Sequence, residues 1–182
     1  MPRPPRLQIP GGAYHVTARA VAGRRLFRED GDFNHFLTLL AKVVERRDWV
    51  CGLYCLMTTH YHLVVRTPEA DLARGIQYLN GCYAQEFNRR HGFEGHVFFR
   101  RYHSVLIERE GHLLEVGRYL PRNPVLAGLC ARAEDWSWSS YPALLGLCPS
   151  PPFLSRGWFL ELFGRDRQTA RRRLRAFVED VS

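Results

Sequence analysis

A chain of 182 residues with 46% hydrophobic content is long enough for one packed domain with an appended tail, and too apolar for a disordered one. Its 26 basic residues against 18 acidic ones give a formal net charge of +8, and Lys42 is the only lysine, so the positive charge is arginine. Genomic base composition accounts for the missing lysine but not for the net balance; guanidinium forks match phosphate geometry, and a polyanionic partner is expected.

The first residues, Met1-Pro2-Arg3-Pro4-Pro5-Arg6, lack the apolar stretch of a signal peptide, and no later apolar run is long enough to span a bilayer. That predicts a cytoplasmic protein with no membrane partner. After Gly11-Gly12, the residues Tyr14, Val16, Ala18 and Ala20 alternate with His15, Thr17 and Arg19, the period of a strand. Phe33, Phe36, Leu37, Leu40, Val43 and Val44 then recur at helical spacing, with Asp30 or Asp32 as the N-cap and an end near Arg47-Asp48. Two β-rich apolar runs, Trp49 to Met57 and His60 to Arg66, are separated only by Thr58-Thr59 and predict an antiparallel hairpin. Thr67-Pro68 supplies a cap and a first-turn proline for a helix whose stripe is Leu72, Ile76, Leu79, Tyr83 and Phe87, ending before Gly92. Val97 to Ile107 is strand-like, and Glu110 to about Asn123 is helical. Pro124 and Trp136-Ser137-Trp138-Ser139-Ser140-Tyr141 begin a tail. Its last helical piece carries Arg165, Arg167, Arg171, Arg172, Arg173 and Arg175, which read as a solvated face beside Leu174, Phe177 and Val178.

The order strand, helix, strand, strand, helix, strand, helix predicts an α+β fold. The expected form is a ferredoxin-like antiparallel sheet with helices on one face and the other face open, plus a mainly helical or irregular C-terminal extension. The domain boundary is expected at 124, with the candidate site in residues 1–124 and the arginine-rich extension in 125–182.

His60-Tyr61-His62 is the most informative triplet. Residues two apart on a strand share a face, so the two imidazoles stand side by side and can share one divalent metal while Tyr61 turns into the core. Two other readings stay open: a pair of histidines on a partly exposed strand, and a structural zinc site that adds Cys51 and Cys55. The five cysteines, Cys51, Cys55, Cys82, Cys130 and Cys148, are odd in number without a Cys-x-x-Cys pair, which argues against a disulfide framework. Tyr119 and Asn123 are four apart, so a phenol and an amide project from one helical face. Tyrosine is a poor nucleophile at neutral pH, but a metal that polarises a phosphodiester makes phenolic attack feasible, and the phosphotyrosine conserves the energy of the broken bond. Pro121 deletes a hydrogen bond of that helix and Pro124 biases Asn123 away from helical geometry, so a kink is expected between them. Tyr83 is a rival nucleophile, but its place on an apolar stripe favours core packing. Arg89, Arg90, Arg100, Arg101 and His103, interleaved with Phe98, Phe99 and Tyr102, and Arg19 on the first strand, suggest a groove that tracks phosphates and stacks bases. Core aromatics alternating with solvated arginines would give the same pattern.

These residues resemble a family, the IS200-like single-tyrosine transposases with a His-hydrophobe-His motif, in particular the REP-associated type. The resemblance runs in order through Gly11-Gly12-Ala13-Tyr14-His15-Val16, Tyr54-Cys55-Leu56-Met57 with His60-Tyr61-His62-Leu63, and Tyr83-Ala84 with Phe87-Asn88. It continues through Gly95-His96-Val97-Phe98, Arg101-Tyr102-His103-Ser104, Arg118-Tyr119, Asn123-Pro124-Val125 and Trp138-Ser139-Ser140-Tyr141. Thr58-Thr59 stands where the family usually has proline and asparagine. The resemblance implies an enzyme that nicks single-stranded DNA beside REP-like palindromic hairpins and holds the 5′ phosphate on a tyrosine. Tyr119 matches the nucleophile, His60 and His62 the metal ligands, and Asn123 the polar residue that completes a site for Mg2+ or Mn2+. Such a protein acts as a monomer or homodimer. The alternative is a hairpin-binding protein of the same fold with catalysis impaired by the Pro121 distortion.

Overall fold

The computed structural model describes residues 8–180. Its elements are β1 (Gly12–Arg19), α1 (Asp30–Arg46), β2 (Val50–Met57), β3 (His60–Thr67), α2 (Leu72–His91), β4 (His103–Leu106), α3 (Glu110–Leu126), α4 (Tyr141–Leu145), α5 (Arg156–Leu160) and α6 (Arg167–Glu179). The four strands form one antiparallel sheet in the order β2-β3-β1-β4. The expected α+β, ferredoxin-like arrangement is therefore the observed one.

Strand alternation divides the side chains between two cores. Tyr14 and Val16 of β1 and Tyr61, Leu63 and Val65 of β3 pack under α1 and α2, against Phe36, Leu40, Ile76 and Tyr83. The opposite face is split. Leu53, Cys55, Met57 and Val64 are buried by Leu113, Val116 and Leu120 of α3 and by Tyr141, Phe159 and Leu174 of the extension. Over β1 and β4 that face stays uncovered, with Arg19 and His103 exposed and Val105 38% exposed. Because β2 is apolar on both faces, with every residue after Val50 buried, it needs a layer on each side, and only half of the face is left open.

The extension also closes the sheet edge. Leu56 N donates to Trp138 O at 2.9 Å and Ser140 N to Tyr54 O at 2.9 Å, so the Trp-Ser-Trp-Ser-Ser segment covers the backbone groups of β2 that an exposed edge strand would present to another chain.

Several local expectations are corrected. The N-cap of α1 is Glu29, and Asp32 sits one turn inside, where its Oδ2 accepts from Arg28 N at 2.9 Å and Glu29 N at 3.3 Å. Thr67 is still paired with Gly12 in the sheet, so α2 begins only after Asp71 and not at Thr67-Pro68. Strand pairing in 97–107 is confined to β4 and a bridge between Phe98 and Ala20, because Val97 and Tyr102 are drawn from the loop into the core. A bulge at Gly52 shifts the register, so Cys51 opposes Val65 in one core while Cys55 opposes His62 in the other. The cysteines lie on opposite faces, which removes the zinc site that would have joined them to the histidines.

α3 runs unbroken through Pro121 and Pro124 to Leu126. Each proline in a helix interior costs about 3 kcal/mol, and burial of Leu113, Val116, Leu120, Pro121 and Pro124 offsets it. Gly117 allows the Phe159 ring of α5 to lie directly on the α3 backbone, where a Cβ would collide with it. Among the described residues, no helix is long and apolar enough to cross a membrane.

Gly117→Ala should destabilise the protein by about 1–3 kcal/mol through overpacking. Gly111→Ala, which meets nothing in the same helix, should be neutral or stabilising by up to about 1 kcal/mol. Urea denaturation of both variants checks this, and equal effects would contradict the contact.

Candidate active site

β3 delivers His60 and His62 to one face, at the border where the covered half of the sheet gives way to the open half. Their ring centroids are 5.0 Å apart at 80°. His62 lies between Thr17 of β1 and Cys55 of β2 and is 4% exposed. α3 crosses above it and sets the Tyr119 ring perpendicular to the His62 ring, with centroids 5.7 Å apart. Tyr119 is 46% exposed, so a phenol open to solvent stands beside a buried imidazole.

Both histidines use Nδ1 internally. Nδ1 of His60 is 3.0 Å from Thr59 Oγ1, and Nδ1 of His62 is 3.0 Å from Nε2 of His15, whose ring meets it edge to edge with centroids 5.2 Å apart. Nε2 of His62 is buried without a hydrogen-bond partner. Burial above all, with the neighbouring His60, His15 and Arg19, pushes His62 down to about 2. Burial and Arg19 push His60 down to about 4, and burial with His112 and His103 pushes His15 down to about 4. Near neutral pH all three rings are therefore uncharged, the form in which imidazole ligates metals. Asn123, four residues beyond Tyr119 on the unbroken helix, is buried with Nδ2 unpartnered. Two neutral imidazoles side by side, one of them with an unpartnered Nε2, offer lone pairs to a divalent cation; Asn123 could join them only through Oδ1, because its unpaired Nδ2 is a hydrogen-bond donor.

The other expected residues separate into two groups. Arg19 pairs in register with His60, and His103 lies opposite Thr17, so both flank the histidines on the open half. Arg100 and Arg101 are exposed in the loop leading into β4, with Arg100 stacked over Phe99 at 4.8 Å. Arg89 and Arg90 are on α2, across the sheet from the histidines. There Arg89 is bound to Glu86, and Arg90 reaches Asp32 at 3.4 Å and Glu29 at 3.6 Å. Tyr83 is 1% exposed, donates its hydroxyl to Leu26 O, and has its ionisation pushed strongly upward by burial. It is a core residue. In the extension, Arg173 donates to Phe163 O and Arg175 pairs with Glu134, while Arg165, Arg167 and Arg172 are exposed.

Glu29, Asp32 and His91 form the one group of three acidic, histidine or cysteine ligand atoms lying within 4.8 Å of one another among the described residues. The Asp32 carboxylate there is already surrounded by donors, with His91 Nε2 at 2.9 and 3.0 Å besides the Arg28 and Glu29 backbone. This cluster joins the start of α1 to the end of α2.

Three contributors to the site were not singled out in the sequence: His15, Thr59 and His112. For His15 a signal existed, because a ferredoxin-like sheet sets its first strand against the hairpin strand, and alternation turns His15 to the histidine face. Thr59 lies in the very pair that departs from the family pattern.

The model of the family described as "Transposase IS200 like" matches residues 9–123, from the start of β1 to Asn123. The chain belongs to the IS200-like transposase family. A Haemophilus influenzae protein provisionally named as a REP-associated tyrosine transposase is 25% identical over 142 residues, covering 72% of this chain and 80% of that protein. A solved REP-associated tyrosine transposase bound to a REP hairpin is similar in fold, with a TM-score of 0.68 and 19% identity over 82% of this chain and 89% of that one. The IS200-like match spans β1, the histidine strand and the tyrosine helix, and stops short of α4, α5 and α6.

Tyr83→Phe should cost about 1–3 kcal/mol, because it strips the buried Leu26 carbonyl of its donor. Tyr119→Phe, at an exposed position, should stay within about 0.5 kcal/mol of the unmutated protein. Denaturant titration of the two variants separates the core tyrosine from the one held at the site.

Proposed function

We propose that this IS200-like transposase nicks and rejoins single-stranded DNA beside hairpins, with Tyr119 as the nucleophile. The observation that carries this reading is the exposed Tyr119 phenol set perpendicular to a buried, neutral His62 with an unpartnered Nε2. The phenolic oxygen attacks the scissile phosphorus as its proton leaves, the bond from phosphorus to the 3′ oxygen breaks, and that oxygen takes up a proton. The 5′ phosphate stays on Tyr119. Rejoining reverses these steps with a 3′ hydroxyl, so no nucleotide cofactor is consumed.

His60, His62 and Asn123 would hold Mg2+ or Mn2+, which when bound supplies a positive charge beside the phosphate oxygens. The remaining work falls to the chain itself. α3 holds Tyr119 over β3, so little orientational freedom remains to be lost at attack. Arg19, His103 and the loop arginines Arg100 and Arg101 are placed to follow phosphates, and Phe99, 57% exposed, offers a stacking surface for a base. Arg89 and Arg90, tied up across the sheet, contribute at most from a distance. The hairpin-bound relative supports a DNA hairpin as the binding partner, and the family match supports transposase chemistry. That α3 continues through Pro121 and Pro124 as one helix supports the catalytic reading over the binding-only one.

The test uses hairpin oligonucleotides with single-stranded flanks of varied sequence, labelled at either end. With Mg2+ or Mn2+, a covalent protein–DNA adduct should form that carries the label on the DNA 3′ of the nick. Tyr119→Phe and EDTA should each abolish it, His62→Ala should reduce it by about 100-fold or more, the scale of one lost electrostatic contact to developing charge, and Tyr83→Phe should retain it. An adduct that persists in Tyr119→Phe would sink the assignment of the nucleophile.

A further inference from the structure

We infer that His15 is a positioning residue for the metal site: from β1 it holds the His62 ring by Nδ1 and thereby presents His62 Nε2 as the ligating atom. The inference rests on the metal reading above and extends it to a residue outside the His-hydrophobe-His triplet. His15 Nε2 lies 3.0 Å from His62 Nδ1, with the ring planes 23° apart and the rings meeting edge to edge, and it is the one hydrogen-bond partner of the His62 ring among the described residues.

The contact admits two arrangements of the proton, and a cation at Nε2 selects between them. If His62 carries hydrogen on Nδ1, it donates to His15 Nε2 and leaves a lone pair on its own Nε2. The reverse arrangement, with His15 donating, puts hydrogen on His62 Nε2, a buried N–H with no acceptor in reach. A cation at Nε2 requires the first arrangement, so His15 serves as the acceptor behind a metal-binding histidine, a role that a carboxylate or backbone carbonyl commonly fills. His15 is not itself a ligand of the same ion, because its Nε2 faces the nitrogen of His62 turned away from that ion. Strand register explains how the two meet. Thr17 is opposite His62 and His15 is opposite Val64, so His15 is the diagonal neighbour of His62, within reach of a long side chain. His60 is served differently, by Thr59 Oγ1 at its own Nδ1. Each imidazole thus has one nitrogen engaged by the protein, and for His62 the partner comes from a separate strand.

The experiment uses the full chain, with Mn2+ as the probe and free Mn2+ followed by electron paramagnetic resonance. His15→Ala should weaken Mn2+ binding by about 10–100-fold, the usual loss when a partner behind a metal ligand is removed. His15→Gln, whose amide oxygen reaches close to the place of Nε2, should restore binding close to the unmutated value. Nitrogen-15 NMR of the metal-free protein should find His62 protonated on Nδ1, and a mixture of tautomers in His15→Ala. Unchanged Mn2+ affinity in His15→Ala, equal losses in His15→Ala and His15→Gln, or a proton on His62 Nε2 in the unmutated protein would each overturn the role of His15. His62→Ala separates the two levels. If it loses Mn2+ while His15→Ala does not, only the positioning role fails; if it binds Mn2+ as well as the unmutated chain, the metal site itself is wrong and the inference falls with it.

Discussion

The structure depends on the register of β3. That strand is paired on both sides, with β2 and with β1, and its odd and even residues belong to different environments: Tyr61, Leu63 and Val65 to the core under α1 and α2, His60, His62 and Val64 to the opposite face. A slip of one residue would drive two imidazoles into an apolar core and Tyr61 out of it, so the same burial that stabilises the sheet holds the histidines in place. The turn adds to this constraint. Thr58 O accepts from the backbone of Leu26 and Phe27, and Thr59 O from Ala20, so the start of β3 is anchored where His60 begins.

The second requirement is a helix held above that strand, and the extension supplies much of the holding. Phe159 of α5 rests on α3 at Gly117, and the Arg118 guanidinium stacks over the Phe177 ring of α6 at 4.2 Å. These contacts fall on the two residues just before Tyr119. They explain how a helix with two internal prolines keeps its course: the missing backbone hydrogen bonds are local losses, whereas the buried stripe and the clamp act along its whole length. The extension is thus part of the support of the site, even though the IS200-like match ends at Asn123.

Charge is distributed by the same geometry. Of the arginines in the chain, Arg89 and Arg90 on α2 and several in the extension are spent on carboxylates and carbonyls. Arg19, Arg100 and Arg101 remain at the open half of the sheet, beside exposed Phe99 and Val105. A net charge of +8 says that a polyanion is favoured. Only the pairing pattern says where it would lie.

Much of this was legible in the chain itself, for physical reasons. Periods of two and of 3.6 are local properties, so β1, the hairpin, the stripe of α2 and the pairing of Tyr119 with Asn123 could be read from spacing, as could the shared face of His60 and His62. What depends on partners distant in sequence could not be read. At the bulge that separates Cys51 from Cys55, Gly52 leaves the space that the Trp158 ring, a partner distant in sequence, occupies. The continuation of α3 through Pro121 overrides a local preference by tertiary burial. The ion pairs that withdraw Arg90 from the candidate groove join residues about sixty positions apart, and the approach of His15 to His62 joins residues 47 apart. The sequence by itself determined which side chains could do chemistry and which face of each element they would occupy, because both follow from the order of residues along one strand or helix. Tertiary structure alone decided which of those faces meet, since that is set by how two apolar layers close over the sheet.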